Sequence, residues 1–359
     1  MNFLRCIYFF TFIIQLNIGI SYKNPISIVK NNRISNSILR DSISNNPNIE
    51  NNPTPINKKI KIQSFLELIR SKNILPTFLL CFSGGFIMNP SIPELLKSTQ
   101  FIVSIINIIL ITSSSMIIND IFDIEIDKIN SPNRPLVTGA ISKKEAILYS
   151  TILLGICEIL NLRFLPRNLQ NIVHSSILFI LFYTPFLKKI LFVKNLSCAT
   201  IVGFSLIFSG VSSSNIPILN NLNRDILLTA FSIIFSGSLV NEIILDIRDI
   251  EGDSSQGIRT IPVIYGKDIS LLIVYLIWYY TILSNFIYLT YSRNIIISGI
   301  LLRILYPQLI AVNEIYRNLF LEYPIKQYFN RSNKTMIILL LYLCGLSFIK
   351  INSIFSTLI

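Results

Sequence analysis

The sequence predicts an all-α, polytopic membrane protein with about nine transmembrane helices. Of its 359 residues, 52% are hydrophobic and only 14% are charged, whereas soluble domains carry about a quarter charged residues. The mean hydropathy is +0.60, and apolar windows of roughly 18 to 24 residues, the length that crosses a bilayer, recur along the chain. These observations leave too few solvent-facing groups for a soluble protein.

Nine apolar segments are long enough to form membrane-spanning helices. They lie near residues 73–90, 100–122, 145–163, 169–187, 195–213, 226–246, 268–290, 294–314 and 335–353. The eighth segment is the weakest, because Arg303 and Pro307 interrupt it and could tilt or break the helix.

Basic residues are distributed unequally between the two sides that these alternating segments define. The loops after helices 2, 4, 6 and 8 hold fourteen Lys and Arg residues, and the opposite loops hold five. Such a bias sets the orientation of a membrane protein. Membrane orientation therefore explains the net charge of +12. Nucleic-acid binding is not indicated, since no basic patch is interleaved with aromatic residues.

The first 60 residues are predicted to lie outside the membrane domain, which covers 61–359. Residues 1–22 combine one early Arg with an apolar run of about 15 residues, which is typical of a signal peptide. Residues 23–60 are rich in Asn, Ser, Lys and Arg, as in a cleaved transit peptide or, equally, a disordered polar linker. A transit peptide would indicate a plastid-type organelle membrane, with the mitochondrial inner membrane and the endoplasmic reticulum as alternatives.

Nine of the nineteen acidic residues fall in two short windows. These residues are Asp120, Asp123, Glu125 and Asp127 in the first window and Glu242, Asp246, Asp249, Glu251 and Asp253 in the second. The stretches DIFDIEID (120–127) and DIRDIEGD (246–253) match at six of eight positions, and each closes an even-numbered helix on the same predicted face. This placement suggests a pseudo-repeat of two four-helix halves with a ninth helix added.

The aspartates of each window share one helical face, because offsets of 0, 3 and 7 residues fall within an arc of about 60°. We call Asp120, Asp123 and Asp127 the first aspartate cluster, and Asp246, Asp249 and Asp253 the second. Like charges on one face repel, and carboxylates at the C-terminal end of a helix oppose its macrodipole. A merely solvated helix end does not explain two such clusters, so a bound cation is predicted.

The chemistry of the predicted site favours Mg²⁺ and a diphosphate. Mg²⁺ takes one or two carboxylates and completes its shell with water and substrate phosphate. Zinc is not indicated, because His174 is the only histidine and none of the five cysteines has metal-ligand spacing. Arg134, Lys128 and Arg259 lie in the loops after the two acidic helices, and Lys188, Lys189 and Lys194 lie in the loop after helix 4 on the same predicted face. Each alone would be an ordinary loop charge, but together they predict a two-metal, diphosphate-sized site.

Both windows resemble signatures of the UbiA superfamily of intramembrane prenyltransferases. NDIFDIEIDKINSPNRPLVTGAIS (119–142) is similar to the first signature, and DIRDIEGDSSQGIRTIPVIYG (246–266) is similar to the second. LELIRSKNILP (66–76) resembles the segment that precedes the family's first helix, and YTPFLKK (183–189) its helix 4–5 loop. The resemblance covers about residues 64–355.

The resemblance implies nine helices around a central cavity that opens to lipid, with two Mg²⁺ ions bridged by the diphosphate of an isoprenyl donor. The implied ligands are Asn119, Asp120, Asp123 and Asp127 for one ion and Asp246, Asp249 and Asp253 for the other. Asp120, Asp123, Asp246, Asp249 and Arg134 would be catalytic, and Asn119, Lys188, Arg259 and Lys128 would bind substrate.

The implied reaction is transfer of the isoprenyl group to a lipophilic or aromatic acceptor, with release of diphosphate. The second signature resembles those of homogentisate prenyltransferases, chlorophyll synthases and geranylgeranylglyceryl-phosphate synthases more closely than those of 4-hydroxybenzoate or haem farnesylating members. An ion-coupled transporter is the alternative, because intramembrane carboxylates and repeated halves also occur in transporters.

Overall fold

The computed structural model describes residues 58–214, 216–255, 257–318 and 321–358, and no strand occurs among them. The predicted signal-like segment, 1–22, and most of the transit-like segment, 23–60, lie outside these residues, so their removal and the destination they encode stay predictions. The first described helix begins at Lys58, slightly before the predicted boundary of the membrane domain at residue 61.

Thirteen α-helices are found within the described residues. They are α1 (Lys58–Leu68), α2 (Ile74–Met88), α3 (Ile92–Lys97), α4 (Thr99–Phe122), α5 (Ile124–Asn130), α6 (Lys143–Phe164), α7 (Arg167–Tyr183), α8 (Val193–Ser213), α9 (Arg224–Arg248), α10 (Ile250–Ser255), α11 (Ile261–Ser292), α12 (Ile295–Arg317) and α13 (Glu322–Leu358).

Each of the nine predicted segments coincides with one of the longer helices. In the described part of the chain, six helices are long and apolar enough to cross a membrane, namely α4, α6, α8, α9, α11 and α12. Helices α2 and α7 are shorter, with 15 and 17 residues, and α13 has 37. Helix α12 continues through Pro307 without a break. The predicted all-α membrane fold is confirmed.

Local sequence signals set the ends of the helices next to the acidic windows. The Ser98 hydroxyl accepts the backbone N–H of Phe101 and caps α4. Ser142 and Glu145 form a reciprocal capping box at the start of α6, which satisfies N–H groups that have no partner inside the helix. These caps fix where α4 starts and where the loop after the first window ends.

The long helices pack in chain order, and α13 returns to pack against α2. Helix α8 also packs against both α4 and α9, the two helices that end in the acidic windows. The main core is formed by apolar side chains of α2, α4, α8, α9, α11, α12 and α13. Large apolar side chains on the outside, such as Ile159 and Leu276, are more than half exposed, as suits a lipid-facing surface.

The crossing of α2 and α8 depends on a glycine. A Cβ atom at Gly84 would lie 2.2 Å from the backbone oxygen of Leu206. We expect Gly84→Ala to destabilise the detergent-solubilised protein by about 1–3 kcal/mol, the cost of overpacking a core, measured as a lower thermal unfolding midpoint. Gly155→Ala on α6 is the control, because nothing lies within 4 Å of its added Cβ. Equal shifts in the two variants would contradict this close crossing.

Candidate active site

Each acidic window interrupts its helix at the central aspartate. Asp123 lies between α4 and α5 with φ −95° and ψ 7°, and Asp249 lies between α9 and α10 with φ −92° and ψ 10°. The amide of Asp127 donates to the Asp123 carbonyl over 2.8 Å, and that of Asp253 donates to the Asp249 carbonyl over 2.9 Å. The helical-face prediction assumed an unbroken helix and needs this correction. The similarity of the windows extends to their backbones.

The first aspartate cluster is buried and paired with two arginines. Asp120, Asp123 and Asp127 are 3%, 9% and 5% exposed. Arg134 Nη1 donates to Asp120 Oδ1 over 2.8 Å and to Asp127 Oδ2 over 2.5 Å. Arg70 Nη2 donates to the same Asp120 oxygen over 3.1 Å. Two guanidinium groups therefore converge on one carboxylate at the end of α4.

A lysine and an amide complete the surroundings of Asp123. Lys188 Nζ donates to Asn119 Oδ1 over 2.9 Å and also forms an ion pair with the Asp123 carboxylate. Asn119 Nδ2 donates to Asp123 Oδ2 over 2.8 Å. The three predicted site residues Asn119, Asp123 and Lys188 are thus brought together in one hydrogen-bonded group.

In the second aspartate cluster, Asp246 is the most deeply buried member, at 3% exposure. Lys194 Nζ donates to its Oδ1 and Asn195 Nδ2 to its Oδ2, each over 2.8 Å. Asp253 is also buried, but the Asp249 side chain is 49% exposed and is held by the neighbouring Arg248. Nε and Nη2 of Arg248 donate to the two Asp249 oxygens over 2.6 Å.

The connection from α7 to α8 joins the two clusters. Lys188 binds at the first cluster, whereas Lys194 and Asn195, in the first turn of α8, bind at the second. Phe192, between them, has φ 64°, a left-handed conformation that is uncommon for a residue with a side chain. This short segment therefore spans from the end of α4 to the end of α9.

Other groups also lie between the clusters. Glu242 on α9 is within electrostatic range of Lys194 and of Arg70, which is paired with the first cluster. The Tyr183 hydroxyl contacts Cys198 Sγ at 3.2 Å, and Tyr183 experiences the charges of both Glu242 and Asp123. The two clusters therefore lie at the same end of the bundle, as the sequence predicts.

Not every predicted site residue joins this group. The Lys128 side chain is 54% exposed and pairs with Glu125, which is 80% exposed. Arg259 is exposed and, within the described residues, forms no ion pair with either aspartate cluster. Glu125 and Glu251 both point outward, as their helical phase predicts.

Sequence reasoning did not assign a role to two side chains that the structure places at the clusters, Arg70 and Asn195. Arg70 lies in the segment LELIRSKNILP, whose resemblance to the family's opening segment could have singled it out. Lys194 was counted among the basic residues around the predicted diphosphate site, and the structure places its Nζ on Asp246. No sequence signal distinguishes Asn195 from the many other asparagines of this chain.

The donor set fits a hard divalent cation that is shared with a substrate. Among the described residues, no three His, Cys, Asp or Glu side chains converge as a closed metal cage. Mg²⁺ does not need one, because it combines one or two carboxylates with water and phosphate oxygens. Burial raises the pKa of the Asp127 carboxyl to about 6, opposed by Arg134 and reinforced by Asp120 and Asp123. A cation bound at this cluster would reduce the electrostatic repulsion between these carboxylates.

Comparison with known proteins identifies the family. Residues 77–317 match the UbiA prenyltransferase family. The digeranylgeranylglyceryl phosphate synthase of Methanosphaera stadtmanae is 32% identical over 248 residues, which cover 66% of this chain and 84% of that protein. The synthase of the same name from Thermococcus sibiricus is 32% identical over 251 residues, or 68% and 85% of the two chains.

Solved structures agree with this assignment. A structure reported for digeranylgeranylglyceryl phosphate synthase in membranes has a TM-score of 0.60 at 26% identity, covering 79% of this chain and 98% of that one. A UbiA homologue from Archaeoglobus fulgidus, bound to GPP and Mg²⁺, has a TM-score of 0.59 at 18% identity, covering 79% and 99%. The second likeness shows the fold alone. None of these comparisons supports a transporter. The chain belongs to the UbiA prenyltransferase family and is a membrane prenyltransferase.

Proposed function

We propose that this enzyme transfers an isoprenyl group from an allylic polyprenyl diphosphate to the free hydroxyl of a glyceryl phosphate lipid, within the membrane and with release of diphosphate. The observation that carries the proposal is the convergence of basic side chains on both aspartate clusters at one end of the bundle. Those side chains are Arg70, Arg134, Lys188 and Lys194.

The basic side chains and the carboxylates have complementary roles toward the donor. The carboxylates and Asn119 would hold two Mg²⁺ ions, one at each cluster, and these ions would neutralise the charge that develops on the departing diphosphate. The proposed ligands are Asn119, Asp120, Asp123 and Asp127 at the first cluster and Asp246, Asp249 and Asp253 at the second. Arg134 and Lys188, already positioned by these ligands, would bind the diphosphate oxygens directly.

Ionisation of the donor follows from this electrostatic arrangement. When the allylic carbon–oxygen bond breaks, negative charge accumulates on the diphosphate, and preorganised cationic groups stabilise it more than they stabilise the intact donor. The allylic cation would lie toward the apolar core of the bundle, which excludes the water that would capture it. No nucleophilic side chain of the protein is required.

The acceptor class is proposed from the relatives. The two relatives quoted above are named for the product digeranylgeranylglyceryl phosphate, and the chain spans more than four-fifths of each. A synthase of that product attaches a second isoprenoid chain to a glyceryl phosphate that already carries one. We extend to this chain the same acceptor chemistry, a hydroxyl on a glyceryl phosphate ether.

The proposal is tested with the detergent-purified full chain, Mg²⁺, allylic diphosphates of increasing length and a panel of acceptors, with mass spectrometry of the products. The panel contains a geranylgeranylglyceryl phosphate, a chlorophyllide (a carboxylic acid), homogentisate and 4-hydroxybenzoate. We expect the prenylated ether of the glyceryl phosphate to be the main product. Exclusive prenylation of an aromatic ring would contradict the acceptor, and ion flux without any prenylated product would contradict the reaction.

Arg134 and Lys128 provide a matched comparison, because they lie six residues apart and only Arg134 contacts the cluster. We expect Arg134→Met to lower kcat/KM for the donor at least ~100-fold, the scale of losing one preorganised electrostatic contact. Lys128→Met should stay within about twofold, since an exposed ion pair contributes little. Steady-state kinetics with varied donor measures both. Equal losses would contradict a role of Arg134 at the first cluster that Lys128 does not share.

A further inference from the structure

Glu242 is a carboxylate inside a membrane-spanning helix to which the proposed function assigns no role. It lies on α9, one helical turn before Asp246. Its carboxylate forms no hydrogen bond within the described residues. Glu158, a glutamate within α6, by contrast has a direct partner, since His174 Nε2 lies 2.5 Å from its Oε1. An acid inside a membrane helix is costly and marks a functional site by default.

The neighbours of Glu242 place it between the two clusters. Lys194, which is paired with Asp246, and Arg70, which is paired with Asp120, both act electrostatically on its carboxylate. Tyr183 and Cys198, in contact with each other, are also within its electrostatic range. Groups from α7, α8, α9 and the segment that follows α1 therefore lie within electrostatic range of Glu242.

Its depth distinguishes Glu242 from the aspartates. Helix α9 ends at the cluster, so a residue four positions earlier lies about 6 Å further into the bundle. A diphosphate held by the clusters would have its allylic carbon on this inner side, because the isoprenoid chain must extend into apolar surroundings. The acceptor hydroxyl that attacks this carbon must therefore come to the level of Glu242.

We propose that Glu242 is the general base that removes the proton of the acceptor hydroxyl, an inference that rests on the proposed function. The bond between the allylic carbon and the diphosphate oxygen breaks, and its electron pair leaves with the diphosphate. A lone pair of the acceptor oxygen forms the new carbon–oxygen bond. The acceptor O–H bond breaks, and its proton passes to the Glu242 carboxylate, which later releases it to water.

Two substitutions test this role in the full-length protein in mixed micelles. Glu242→Gln keeps the size of the side chain but cannot accept the proton, so kcat should fall at least ~100-fold, the lower range for losing general-base catalysis. The KM for the acceptor should change little. The Mg²⁺-dependent affinity for the allylic diphosphate, which calorimetry measures, should also change little. Glu242→Asp, which retains a carboxylate, should recover at least about tenfold in kcat over the glutamine variant.

Glu158→Gln is the matched control, because Glu158 also lies in a membrane helix but is paired with His174 away from the clusters. The kcat of this variant should stay near the wild-type value. The inference is overturned if Glu242→Gln raises the acceptor KM while leaving kcat unchanged, if it abolishes donor binding, or if Glu242→Asp recovers nothing. Failure of the proposed function looks different, since wild-type protein would then bind the donor but prenylate no hydroxyl acceptor.

Discussion

Asp120→Asn and Asp246→Asn are each expected to lower prenyl transfer at least ~100-fold, the effect of losing one preorganised electrostatic contact. Asparagine keeps the shape of the side chain but removes the negative charge that a divalent cation needs. At Asp120 the change also leaves Arg70 and Arg134 without their shared carboxylate partner. At Asp246 it removes the charge that holds Lys194. The measurement is kcat/KM for the donor, with thermal unfolding as a check on folding.

The exposed glutamates of the same windows are the controls. Glu125→Gln and Glu251→Gln change the same charge within the same short segments, but both side chains point outward, so activity should change little. Asp123→Asn should behave like the two buried variants, and so should Asp249→Asn, because Asp249 is a proposed metal ligand although its side chain is half exposed and pairs with Arg248. Equal losses in the aspartate and glutamate variants would refute the assignment of the aspartates as the metal ligands.

Removing Mg²⁺ should have the largest effect of all and abolish turnover. Without the metal, the aspartate clusters present carboxylates to an anionic donor, and the basic side chains that would bind its diphosphate remain paired with those aspartates. Chelation with EDTA followed by gel filtration should leave a protein that neither binds nor turns over the allylic diphosphate, and added Mg²⁺ should restore both. Inorganic diphosphate should inhibit competitively with the donor. Full activity of the chelated protein would contradict a metal-dependent site.

Much of the architecture was predictable because membrane helices depend on composition. Runs of apolar residues must form helices in lipid, where every backbone group needs an internal partner, so the nine segments coincide with nine helices in the described chain. The aspartates were predictable because their spacing repeats and their charges conflict unless something binds them. Arg134 and Lys188 were identified by resemblance, and the structure shows both in contact with the first cluster.

Other features depend on tertiary contacts that spacing does not encode. A helical wheel does not reveal that the helix breaks at Asp123 and Asp249, and it therefore does not show that Asp249 turns outward to Arg248. Lys128 and Arg134 were indistinguishable as loop charges, but only the second folds back onto α4. Lys194 and Asn195 reach Asp246 because α8 packs against α9, which no local pattern indicates.

The central claim is that the two aspartate clusters act on one diphosphate, and a double-mutant cycle on donor binding tests it most directly. Calorimetry with an unreactive allylic thiodiphosphate and Mg²⁺ would compare wild type, Asp123→Asn, Asp249→Asn and the double variant. We predict one donor per chain, with single effects that are not additive and a coupling of about 0.5–3 kcal/mol, as for groups that share a ligand. Strictly additive losses, or two independent donor sites, would contradict the claim.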